Sequence, residues 1–148
     1  MPRGRAILLL LLAGCAAVPR VALERAEAEA QAGHAELARS RYDAIAARKD
    51  VSDAERIAAL MGAARASDAL GDADGARVRL ERAVERDVPG VVEPAEYELA
   101  ERLRDHDRAR ALSLYYRTAG GSEKYRAGGF PYRAAMDRIL QISLSETR

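Results

Sequence analysis

Cys15 is the only cysteine in the 148 residues, and its thiol is the one strong nucleophile the chain carries. It directly follows Leu12-Ala13-Gly14. Upstream lie Arg3 and Arg5, then the apolar run Ala6-Ile7-Leu8-Leu9-Leu10-Leu11-Leu12. A short basic stretch, a compact apolar run and small residues in that order are the layout of an export signal. The run is too short to cross ~30 Å of hydrocarbon, which takes about 20 apolar residues. An ordinary secretory cut after Ala13-Gly14 would leave a lone thiol in an oxidising compartment with no disulfide partner.

Other candidates for chemistry are few. His34 and His106 each fall at an expected inter-helix turn, and Asp105 and Asp107 flank His106 without completing a ligand set. No G-x-S-x-G, H-E-x-x-H, phosphate-binding or G-x-G-x-x-G motif occurs. Acidic pairs such as Glu27 and Glu29 alternate with arginines, as solvated helix faces do. The residue content argues against an enzyme and against a metal site. Arg65 and Asp68 lie one helical turn apart, close enough to clamp a peptide together or to pair with each other at i, i+3.

The segment ending Leu12-Ala13-Gly14-Cys15 resembles the lipobox of bacterial lipoproteins. That resemblance implies cleavage before Cys15, diacylation of its thiol and acylation of the new amino terminus, with covalent lipid as the only attached group. Several acyl chains hold a protein on a membrane where one chain holds only marginally. Residues 1–14 are then the signal peptide and 15–20 a lipidated tether; the five residues after the anchor reach about 17 Å. Ala16, with no aspartate after the cysteine, implies by the same resemblance the outer membrane, facing the periplasm.

With residues 1–14 removed, the formal charge goes from +1 to −1, because Arg3 and Arg5 are lost and all 23 acids lie downstream. A near-neutral chain gives no electrostatic reason to expect nucleic acid. Alanine and arginine dominate, only Lys49 and Lys124 are lysines, and no β-branched run is long enough for a strand. These residues favour helix. Once Cys15 is acylated no disulfide is possible, so the fold must be held by packing.

The helices recur. From Gly33, alanine follows two and five residues on and Tyr42 nine on; from Gly71, alanine follows two and five on and Leu80 nine on. A weaker third copy starts at His106 and keeps Ala111 and Tyr115. Offsets of 38 and 35 residues lie near the ~34-residue period of tetratricopeptide arrays. Ala64, Gly71, Ala76, Leu80 and Ala83 match that family by residue type, so the chain resembles tetratricopeptide or Sel1-like repeats over about residues 20–119. It departs from the pattern in lacking the opening Trp and a glycine at the third turn.

Helices are expected at 21–32, 35–48, 53–69, 73–87, 94–104 and 107–119. Ser52 and Glu55 form a capping box, and Pro94 sits in a first turn. After a glycine-rich loop, a last helix runs from Pro131 to about residue 143, with Ala135, Met136, Ile139 and Leu140 as its apolar set. The expected architecture is all-α: a solenoid of antiparallel helix pairs, three repeats at 21–119, closed by a capping helix within 120–148.

The repeat resemblance implies a protein-binding face on the first helix of each pair, at Glu27, Met61, Arg65, Asp68, Glu96 and Leu103. A second candidate surface is aromatic, with Tyr116, Tyr125 and Arg126 as contacts, since Tyr and Arg concentrate at interfaces. Tyr115 and Phe130 are expected to weld the last helix to the third pair. The functions these features imply are a membrane-anchored periplasmic adaptor for a protein partner, an architectural envelope lipoprotein serving exopolysaccharide or pilus export, or an envelope enzyme.

Overall fold

The computed structural model describes residues 19–121 and 129–146. The signal segment, Cys15, most of the tether, Tyr125 and Arg126 lie outside the described residues. Within them the chain is all-helical: α1 (19–31), α2 (Ala35–Ala47), α3 (Asp53–Ala69), α4 (Ala73–Val84), α5 (Glu93–Leu103), α6 (Arg108–Gly120) and α7 (Tyr132–Glu146). Successive helices pack on one another from α2 through α6, and α7 packs on α6. The fold is a solenoid of helix pairs, α1–α2, α3–α4 and α5–α6, followed by α7.

Local chemistry sets the boundaries. In the first two pairs the turn is made by a left-handed glycine, Gly33 at φ 81° and Gly71 at φ 75°. The amide of the following residue reaches back to Glu29 O in one and Ser67 O in the other, at 2.9 Å each. This six-residue closure satisfies carbonyls that a helix end leaves open. The third pair lacks a glycine there, and its turn closes on Leu103 O by bonds from His106 and Asp107 instead. Asp72 and Asp107 cap α4 and α6 through the amides of Gly75 and Arg110. Ser52 and Glu55 form the reciprocal box that starts α3. Arg56 donates to the carbonyls of Ala46 and Arg48, tying the end of α2 to α3.

The repeat register is visible in the core. Ala38, Ala76 and Ala111 are each fully buried, and the large residue four further on (Tyr42, Leu80, Tyr115) is buried with them. One more turn along, Ile45, Ala83 and Thr118 are buried too. Methyl side chains at the crossing let helix axes approach closely, and the larger residue fills the remaining volume.

The last helix differs from expectation on one side. Ala135 and Ile139 turn inward with Ile142, whereas Met136 and Leu140 are exposed, as is Leu144. An inward stripe at 135, 139 and 142 uses up the helical period, so residues 136 and 140 fall on its flank. Tyr115 is buried, its ring 5.8 Å from that of Tyr97, and its hydroxyl donates to Glu101 at 2.5 Å. Phe130 stacks edge-on against Tyr97 at 5.2 Å but stays largely exposed. Arg138 of α7 grips Glu101 of α5 with two bonds, at 2.8 and 3.0 Å.

Candidate functional site

Charged side chains join α2 to α4, α4 to α6 and α3 to α5, each the equivalent helix of the next repeat. Arg79 of α4 bonds Asp43 of α2 at 3.0 and 2.6 Å, and Arg110 of α6 bonds Glu81 of α4 at 3.1 Å. On the other row, Arg65 of α3 bonds Glu98 of α5 at 2.5 Å, and Asp68 of α3 accepts two bonds from Arg102 of α5, one at 2.9 Å. Neither i, i+3 pairing nor a free clamp describes Arg65 and Asp68: each is engaged by α5.

Between α1 and α3 the same rungs are missing. Stepping back one repeat puts Glu27 and Ala63 in place of Arg65 and Glu98, and Ala30 and Ser67 in place of Asp68 and Arg102. An alanine in each replaced pair cannot form an ion pair. The result is a groove of about 520 Å³ lined by Leu23, Glu27, Ala28, Tyr42, Met61 and Arg65 among others. It continues along α3 into a smaller hollow of about 230 Å³ edged by Ala30, Ala35, Ala66 and Ala69.

The floor is shaped by one small residue. A Cβ on Gly62 would sit 2.5 Å from the Tyr42 ring, so the ring lies directly over the α3 backbone at that point. Its hydroxyl donates to Glu27 at 2.7 Å, and Gln31 adds a second bond to the same carboxylate at 3.2 Å. Those bonds, Tyr42's first, lower the Glu27 pKa, while burial and then the Glu27 bond raise that of Tyr42. Glu27 is therefore held ionised and fixed on one wall, with the Arg65 guanidinium, 62% exposed, on the opposite side. An apolar floor between fixed opposite charges can hold and orient a peptide segment.

Three of the expected contact residues, Glu27, Met61 and Arg65, thus meet in one groove, with Met61 in its floor. The others do not join them. Leu103 is buried in the core, and Glu96 is buried on the α6 side, its side chain only 3% exposed and paired with Arg117 at 2.7 Å. Both correct the expectation of an open contact surface: Leu103 packs into the core, and Glu96 stands at the inward-leaning position of Leu23 and Met61, covered by α6. Tyr116 is exposed on α6, away from the groove. The residues missed by sequence reasoning are Tyr42 and Gly62, whose partnership needs two helices to be seen together.

Among the described residues no group of three or more His, Cys, Asp or Glu side chains could hold a metal ion, and no helix is long and apolar enough to cross a membrane. His34 Nδ1 and Glu29 Oε2 lie 2.8 Å apart, and Arg41 reaches the same carboxylate at 3.5 Å. The chain matches no known protein-family profile, curated protein or solved structure at a significant level.

Proposed function

We propose that the protein is a membrane-anchored adaptor of the bacterial cell envelope that holds a segment of another protein in the α1–α3 groove. The anchor is lipid on Cys15, the location the periplasmic face of the outer membrane, and the helix pairs a tetratricopeptide-like array. The observation that carries the reading is the groove itself. The row of helices α1, α3 and α5 is bridged by two ion pairs at its second step and by none at its first, where an apolar floor lies open between Glu27 and Arg65.

Ala28 and Ala58 line the groove and are exposed. Ala28→Glu and Ala58→Glu should abolish capture of the partner while leaving helicity and thermal midpoint unchanged. Capture retained by both variants, each confirmed folded by circular dichroism, would refute the groove as the binding site.

A further inference from the structure

A second and larger cleft, of about 640 Å³, lies against the first helix pair, lined by Val21, Ala22 and Arg25 of α1 and by Arg41, Ala44, Ile45 and Arg48 from α2 onward. Its floor is aliphatic and its charged lining is arginine alone. Arg41 leans on Glu29 at 3.5 Å and Arg48 is held by Asp50 through two bonds at 2.9 and 2.6 Å, and both arginine side chains stay partly exposed. Among the described residues Arg25 has no charged partner, and Lys49 adds a further exposed cation beside Arg48.

The place of this cleft along the chain says what covers it. Val21 and Ala22 lie at the start of the described part of α1, and only three residues separate Cys15 from Pro19, four Cα steps in all. Fully extended they span about 14 Å. Anything held at Cys15 is therefore held within one short tether of the cleft. We propose that this end of the solenoid docks on the bilayer, with phospholipid acyl chains against Val21, Ala22, Ala44 and Ile45 and anionic headgroup phosphates on Arg25, Arg41 and Arg48. The inference rests on the anchoring at Cys15 proposed above. It turns the tether from a loose leash into an orienting device, because one end of the array then faces the membrane and the α1–α3 groove opens beside it. Aliphatic contact and cationic side chains are the two terms that bind a surface-lying helix to anionic lipid.

Acylation consumes the only native thiol, so a cysteine at the exposed Ala44 is uniquely labelled. The test uses the acylated full chain carrying Ala44→Cys with a polarity-sensitive fluorophore. It is reconstituted in vesicles of phosphatidylglycerol with phosphatidylcholine, or of phosphatidylcholine alone, with Val78→Cys on α4 as control. The expected result is a blue shift at Ala44 and none at Val78. It should be larger on anionic vesicles and weakened at 1 M salt, where the Debye length falls to about 3 Å. Adding Arg25→Glu should lower the docked-to-undocked ratio about fivefold per unit of charge lost. If the chain carries the acyl mass but the Ala44 label stays as wet as the Val78 label, docking is refuted and the anchor stands. A shift that follows protein concentration and ignores vesicle charge also refutes it, and assigns the cleft to a second copy. A mature chain without fatty-acid mass removes the anchor, and this inference with it.

Discussion

Glu96 occupies the place that Leu23 and Met61 fill in the two earlier helices of its row, and the carboxyl is buried there all the same. Burial raises its pKa to about 7; Arg117 opposes the shift, and Glu93 and Asp87 add to it. A carboxyl whose folded pKa lies above its unfolded value of 4.5 favours the folded state most below that value and loses the benefit as pH rises through 7. The protein should therefore be about 2 kcal/mol less stable at pH 8 than at pH 5.5 on this account alone. Glu96→Gln should flatten that slope in urea midpoints, and parallel slopes in the two proteins would count against it. Gly71 gives a second prediction at the same scale. A Cβ there meets nothing within 4 Å, yet φ is 75°. Gly71→Ala should cost about 1–2 kcal/mol through backbone strain, with no change in packing.

At the scale of helices, the excess of alanine and arginine becomes one device with two parts. Alanines at the crossings bring the axes close, and arginines reach the helix one repeat away. Asp43 with Arg79 is the best-formed rung, bidentate and only partly exposed. A double-mutant cycle on that pair should give a coupling of about 0.5–1 kcal/mol, reduced by salt. Exposed i, i+4 pairs such as Arg20 with Glu24 should give about half of that or less. The helices, the capping box of α3 and the repeat spacing were legible in the sequence, because Gly33, Gly71, Ser52 and Glu55 act through neighbours a few residues away. The rungs were not. Partners 29 to 37 residues apart look like ordinary surface charge until the repeats are superposed. For the same reason Arg65 and Asp68 read as a peptide clamp or a local pair, although each answers to α5. Glu96 misled differently: the repeat resemblance implied an open contact there, and only the incoming α6, with Arg117 beside it, shows that it is enclosed.

For the whole molecule, the absent rungs between α1 and α3 matter more than those present, since they leave open the first step of the row, beside the tether. On the proposed reading the solenoid has a bound end with an open groove next to it; at the far end α7 covers the third pair while Met136, Leu140 and Leu144 stay exposed on its outer flank. Tyr116 sits on α6 and does not line the groove, so Tyr116→Ala should leave partner capture unchanged, as a pull-down with the folded variant would show. The most direct measurement is photocrosslinking in living cells, with the reactive residue placed at Ala28 in the groove and, separately, at exposed Val78 on α4. A single discrete protein adduct at Ala28, absent at Val78 and lost when Ala58→Glu is added, is the predicted result. Equal adducts at both positions, or none at Ala28 from a folded and anchored chain, would contradict it.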